Sequence, residues 1–281
     1  MNVDLELHGD THLYYVLDVF TDTPLAGNQL GVFVDGAPFA SEQMQAIARE
    51  LNVSETVFLL APEQGGDARM RIFTPTLELP FAGHPILGTF FVVGAALALA
   101  LDEVSLETAS GIVRVRLQDG FGWMEQRPAP AQPYERADEL LAALGLEGSL
   151  LPVEVYENGP RHVFVQLPDD DALAALRPDH GAIGTHERVG VNCFAGGGTR
   201  WTLRMFGAAL GMTEDPATGS AAGPLAVHLG RHGLVPFGAE IEIDQGAAIG
   251  RPSLLHAKAE SPERVEVGGT AVVVARGRYR T

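Results

Sequence analysis

Apolar positions along this chain follow two different patterns. Most fall in short alternating or β-branched runs bounded by Gly, Pro, Asp or Asn, as in half-buried strands. Leu13–Phe20, Leu30–Val34, Thr56–Leu60, Met70–Thr74 and Ile112–Leu117 are of this kind in the first half. Val153–Tyr156, His162–Leu167, Arg200–Phe206, Ile241–Asp244 and Ala271–Ala275 repeat the pattern in the second. Two stretches differ. Ile86 to Leu101 carries no charge, and Ala221-Ala222-Gly223-Pro224-Leu225-Ala226-Val227 has no polar face. A helix that is apolar all round in a soluble protein is enclosed by its neighbours, so each half is predicted to hold one central helix. Ser41–Leu51 reads as a surface helix with Ser41 as N-cap and Met44, Ile47, Ala48 and Leu51 on one face. Asp138–Leu144 is a second candidate.

Ahead of each apolar helix stands the same short motif. Glu78-Leu79-Pro80-Phe81-Ala82-Gly83-His84 and Glu214-Asp215-Pro216-Ala217-Thr218-Gly219-Ser220 both read E-x-P-x-x-G followed by a polar residue. A Gly at a helix start lets a ligand approach backbone N–H groups that have no partner within the helix, and such a start attracts anions. Arg127-Pro128-Ala129-Pro130-Ala131-Gln132-Pro133 is proline-rich enough to exclude regular structure and reads as a linker. The expectation is an α+β protein of two pseudo-symmetric domains, residues 1–126 and 134–281. Each is a barrel-like curled mixed sheet around one apolar helix, and the last strand is free to return to the first domain.

At 281 residues with 46% apolar and 20% charged content, the chain has the composition of a globular protein. Its formal net charge of −17 leaves no basic stripe for nucleic acid. Met1 to Asp10 has no basic leader region, so a signal peptide is not expected, and the apolar run falls short of the roughly 20 residues that cross a bilayer. A cytoplasmic protein is the simplest reading. Cys193 is the single cysteine, which rules out an internal disulfide or a multi-cysteine zinc site and reads as a small buried apolar residue.

Familiar catalytic patterns fail. No G-x-G-x-x-G follows a strand, and there is no G-K-[ST]. Gly219-Ser220-Ala221-Ala222-Gly223 has the wrong spacing for a nucleophile elbow. His228 and His232 are i,i+4 without a general-base Glu between them, which reads as a polar helix end rather than a metal site. Four polar residues in apolar or small-residue surroundings remain as candidates: Glu55, His84, Asp215 and Ser220. Helix capping is the plain alternative for the last three. For Glu55, at the entry of an apolar strand, burial is costly unless the carboxylate is paired or functional.

Together these segments resemble the PhzF family of phenazine-biosynthesis isomerases. The similarity runs from Val16-Leu17-Asp18-Val19-Phe20-Thr21 and Gly27-Asn28, through Asn52-Val53-Ser54-Glu55-Thr56 and Arg71-Ile72-Phe73-Thr74-Pro75, to Gly83-His84-Pro85 and Leu87-Gly88-Thr89. It resumes at Glu214 to Ala221 and ends with Gln245-Gly246, Gly250-Arg251-Pro252-Ser253 and Val267-Gly268-Gly269. Gln29 departs from the pattern, which usually has Pro after Gly-Asn. The resemblance implies a diaminopimelate epimerase-like fold with the site between its halves, Glu55 as general acid/base, and His84, Asp215 and Ser220 holding the substrate. Gly83 and Gly219 would offer backbone N–H groups. It further implies no cofactor, a homodimer, and a small carboxylic-acid substrate, trans-2,3-dihydro-3-hydroxyanthranilate in the phenazine pathway. Epimerases of similar fold use two cysteines, a mechanism that one Cys and His84 and Ser220 after the two glycines exclude here. An isomerase of another small carboxylic acid and an inactive metabolite-binding protein are the alternative readings.

Overall fold

The computed structural model describes residues 10–96, 102–126, 128 and 130–280. The N-terminal stretch read as lacking a leader, positions 97–101 of the apolar run, and linker positions 127 and 129 lie outside them. The first half runs β1 (Thr11–Val19), β2 (Asn28–Phe33), α1 (Ser41–Leu51), β3 (Glu55–Leu60), β4 (Ala68–Phe73), β5 (Glu78–Leu79), α2 (Gly83–Ala96), β6 (Glu103–Thr108), β7 (Gly111–Gln118) and β8 (Phe121–Gln126). The second runs β9 (Gln132–Pro133), α3 (Ala137–Leu144), β10 (Glu154–Glu157), β11 (Arg161–Gln166), α4 (Asp170–Ala175), α5 (His180–Ile183), β12 (Val189–Gly197), β13 (Arg200–Phe206), α6 (Gly219–Arg231), β14 (Glu240–Gln245), β15 (Ser253–Ser261), β16 (Arg264–Gly269) and β17 (Ala271–Arg280).

Strand pairing repeats between the halves. β1–β2 is antiparallel, β2–β3 parallel, β3–β4 antiparallel, β4–β6 parallel, and β6–β7–β8 antiparallel. The series β10–β11, β11–β12, β12–β13, β13–β14 and β14–β15–β16 has the same sequence of senses. A parallel pair needs a crossover, and α2 and α6 occupy equivalent ones. The equivalent strands β8 and β16 pair with each other and join the two sheets. Each half also receives an edge strand from beyond its own meander: β9 adds to β10, and β17 adds to β1 along its whole length.

The two apolar helices are enclosed as expected. Ile86, Leu87, Phe90, Val92 and Val93 of α2 are buried, and α6 is buried from Gly219 to Leu229. Some local expectations need correction. Ser41 is the first helical residue of α1 rather than its cap; Ala40 holds the cap position, and the Ser41 hydroxyl accepts from Arg71 Nη1. The linker is not wholly irregular, since Gln132-Pro133 pairs with Glu154-Val155, with proline tolerated on a sheet edge. The polar helix end expected for His228 and His232 is present but enclosed: with Arg231 and the Tyr156 hydroxyl the two rings surround Glu154 Oε2.

Each E-x-P-x-x-G motif is stapled by its glutamate to an arginine on the preceding strand. Arg71 on β4 makes two hydrogen bonds to Glu78, and Arg204 on β13 makes two to Glu214, at 2.6–2.9 Å. Both guanidinium groups also lie over a Phe two residues on, Phe73 at 5.1 Å and Phe206 at 4.9 Å. The duplicated unit is therefore R-x-F followed by E-x-P-x-x-G. The second staple is buried and Arg204 also donates to the carbonyls of Leu173 and Leu176, whereas the first is half-exposed. Removing one partner of a buried pair typically costs about 3–5 kcal/mol, and an exposed pair contributes at most about 1 kcal/mol. Glu214→Gln should therefore lower stability to denaturant several-fold more than Glu78→Gln; equal losses would show that the second staple is not distinguished by its burial.

Candidate active site

Strands and crossovers bring the starts of α2 and α6 together. The contact is backbone to backbone: a Cβ added at Gly83 would lie 2.9 Å from both Gly219 C and Ser220 N. Beneath Gly219 packs Phe20, which is fully buried in the left-handed region at φ 63°, an uncommon conformation for a bulky residue. A cavity of about 500 Å³ opens above the junction, lined by Glu55, Gly83, His84, Asp215, Gly219 and Ser220. All six residues singled out from the sequence thus share one cavity. Leu79, Phe81, Met205 and Met212 add apolar walls.

Glu55 opens β3 and is buried. Its Oε2 lies 3.0 Å from His84 Nε2, but that nitrogen is also 3.3 Å from the Gln29 carbonyl in hydrogen-bonding geometry. One N–H cannot align with both, and Glu55 Oε2 is left without an aligned donor. A buried carboxylate oxygen without a hydrogen bond is costly and chemically available. Burial works against the His84 imidazolium, but the negative charges of Glu55 and Asp215 and the Gln29 carbonyl outweigh it, so the His84 pKa lies above 6.5.

Asp215 is held from three sides. Asn28 Nδ2 donates to its Oδ1 at 2.9 Å, Thr218 Oγ1 donates to its Oδ2 at 2.6 Å, and Gln245 Nε2 donates to its carbonyl at 2.8 Å. Burial, reinforced by the negative Glu55, raises its pKa from 3.8 to about 6 despite His84 and these hydrogen bonds. Asn28 is itself placed by Gly27, whose N–H donates to the Pro252 carbonyl and whose own carbonyl accepts from Arg251; Arg251 also pairs with buried Asp18.

Capping is not the role of Asp215 or Ser220. Thr218 occupies the N-cap position of α6 without a side-chain cap bond, its hydroxyl being committed to Asp215. The first N–H groups of the helix are thereby left to a ligand. The first-turn carbonyls are anchored from outside. Pro224 supplies no N–H for the Ser220 carbonyl, and Asn158 Nδ2 donates to it at 2.9 Å instead. Gln126 Nε2 donates to the Gly219 carbonyl at 2.9 Å.

Ser220 Oγ lies 3.0 Å from His162 Nε2. Burial pushes the His162 pKa down to about 3, so the ring is neutral. Asn192 Nδ2, which also donates to the Gly190 and Val163 carbonyls, lies 3.3 Å from His162 Nδ1; with the hydrogen on Nε2 the ring donates to Ser220. The Ser220 hydroxyl hydrogen is then free to point into the cavity. Cys193 is fully buried in β12, where burial pushes its thiol pKa up, and it does not line the cavity. Glu154 also lies off the cavity wall.

Sequence reasoning passed over Asn28, Gln245, Gln126, Asn158, His162 and Asn192. Two of them stood inside matched motifs, Gly27-Asn28 and Gln245-Gly246. The others gave no signal, because a supporting amide is recognised only by the backbone group it meets.

A duplicated α+β fold closes two carboxylates and an imidazole between two open helix starts. The phenazine biosynthesis-like (PhzC/PhzF) family model matches residues 17–277, and the chain belongs to that family, whose members are isomerases. The trans-2,3-dihydro-3-hydroxyanthranilate isomerase of Pseudomonas aeruginosa is 52% identical over 276 residues, 95% of this chain and 99% of the relative. A PhzF-family phenazine biosynthesis protein of Bacillus anthracis has a TM-score of 0.85 at 24% identity, covering 97% of this chain and 100% of that one. A hydroxyproline epimerase of Agrobacterium vitis shares the fold at a TM-score of 0.64 and 12% identity, over 95% of this chain and 92% of its own.

Two predictions follow from this geometry. Gly83→Ala sets a methyl against the backbone of the facing helix, and overpacking of this kind costs about 1–3 kcal/mol; the variant should be less stable and lose activity, and unchanged stability with full turnover would contradict the tight junction. For Asp215, a folded-state pKa above the unfolded value means that the native state binds the extra proton. Its contribution to stability is present below pH 3.8 and lost as pH rises to about 6. Asp215→Asn should therefore gain stability relative to wild type across that window and hold a constant difference above it, as measured by denaturant titration at several pH values.

Proposed function

We propose that this chain isomerises trans-2,3-dihydro-3-hydroxyanthranilate, or a cyclic amino or hydroxy carboxylic acid close to it, by moving one proton between two carbons. The observation that carries the proposal is the unpartnered Glu55 Oε2 inside the cavity, beside His84 and opposite two open helix starts. The full-length relative at 52% identity supports the substrate class. In this reading the substrate carboxylate accepts hydrogen bonds from the N–H groups at Gly83, Gly219 and Ser220 and from the Ser220 hydroxyl. Asp215 pairs with the amino group.

Glu55 as carboxylate takes a proton from an activated C–H bond. The electron pair of that bond delocalises through the conjugated system, and Glu55, whose carboxyl proton exchanges with solvent while it is held there, returns a proton to another carbon. Composition is unchanged and nothing is oxidised, so no cofactor is needed for the proton balance. His84, with its raised pKa, supplies positive charge 3.0 Å from Glu55, beside the reacting bonds. Apolar walls exclude water and favour a flat ring. The same reading makes the enzyme a cytoplasmic homodimer, checked by light scattering in solution and by fractionation of the cells that make it.

General acid/base groups typically contribute about 10²–10⁴-fold. Glu55→Gln should lose at least 100-fold in turnover, by that measure, and still bind an aminobenzoate. Proton NMR in D₂O should show solvent label entering the product in wild type only. Saturable binding without turnover or exchange in wild type would favour an inactive metabolite-binding protein.

A further inference from the structure

The cavity has a charged rim that the proton-transfer scheme leaves unused. Arg161 opens β11, and its register partner across the parallel pair is Val189. Arg188 immediately precedes Val189, so it stands one residue from Arg161's level, in the turn that leads into β12. Both line the cavity and both are exposed. Among the described residues neither guanidinium has a carboxylate within 4.0 Å. Glu157 lines the same rim and is the cross-strand partner of Arg161, yet it makes no ion pair with it.

Arg188 also sits in the left-handed region at φ 58°. A residue with a Cβ is disfavoured there, and such conformations gather at functional sites. Its setting matters as well. The chain carries a net charge of −17, and that field repels any anion approaching from solvent. A cleft entrance of opposite sign raises local ligand concentration and association rate.

We propose that Arg161 and Arg188 form an anion-steering entrance. They draw a carboxylate-bearing substrate through the negative field of the protein to the helix starts of Gly83 and Gly219, and they favour anionic acids over neutral analogues. The inference rests on the reading of the site given above. His162, next to Arg161, already touches Ser220, so a single strand end leads from the rim to the cradle.

The test is stopped-flow association of the intrinsically fluorescent 2-aminobenzoate with the full chain at low and high ionic strength. In the double variant Arg161→Gln/Arg188→Gln, kon should fall about tenfold at low salt, the lower end of steering effects. It should converge on wild type at roughly 0.5 M salt, where the screening length is only a few ångströms. The dissociation rate should be unchanged, and neutral 2-aminobenzamide should associate equally with both proteins. Arg188→Gly removes the charge while giving the left-handed position its preferred residue; it should melt no lower than wild type and show a smaller drop in kon. Equal kon in wild type and double variant at low salt overturns the proposal, as does a loss that survives high salt or one carried by the dissociation rate. Failure of wild type to bind 2-aminobenzoate at all would instead sink the reading of the site, and the steering with it.

Discussion

Everything in the site depends on two helix starts meeting backbone to backbone. The dipoles of α2 and α6 both point positive ends at the same small volume, and like ends repel. The junction is tolerable because Gly83 leaves no Cβ in the gap and because the carboxylates of Glu55 and Asp215 sit beside it. What stabilises the fold at this point is also what a carboxylic acid would find attractive. The two carboxylates then become a cost of their own, visible in the raised pKa of Asp215 and offset in part by His84. The charge arrangement is internally opposed.

Duplication supplies the frame, and departure from duplication supplies the chemistry. Both halves staple their loop with an arginine–glutamate pair, cross over through an apolar helix, and start that helix with glycine. At the two variable motif positions the copies diverge into Leu79 and Asp215, and into His84 and Ser220. Histidine next to a glutamate forms one side of the cavity. Serine oriented by a neutral histidine forms the other. Symmetric backbone and asymmetric side chains produce a pocket whose two walls differ in charge, as a one-faced proton shuttle would require.

The enclosed helices, the repeated motif and most strands were legible in the sequence because burial and turn chemistry leave local signatures. β6, β8, β12, β15 and β16 were not picked out, nor were the two-residue β5 and β9, although Gly268-Gly269 in β16 had been matched as a motif; Gly190, Asn192 and Gly196–Gly197 in β12 interrupt the alternation that would mark it. Gly83, His84, Gly219 and Ser220 could be singled out because glycine before a polar residue at a helix start is itself a pattern, Asp215 because it stands in the repeated motif, and Glu55 because a carboxylate entering an apolar strand is unusual. Their supports were not, since Asn158 answers a carbonyl freed by Pro224 and Gln126 answers one in another half. Such pairings are written in three dimensions only. The R-x-F segment shared by Arg71–Phe73 and Arg204–Phe206 was readable and passed unnoticed, because its meaning lies in a glutamate several residues away.

The edge strand β17 carries a consequence for how the molecule comes into being. Its register ties Thr11 to Arg280 and Val19 to Ala271, so one flank of the first sheet waits for nearly the last described residues to be synthesised. Pairings across such long stretches of chain close late and slowly. On the ribosome the first half therefore emerges with β1 paired on one side only. Until β17 arrives, that open edge is exposed to aggregation, and the cavity between the halves has no second wall.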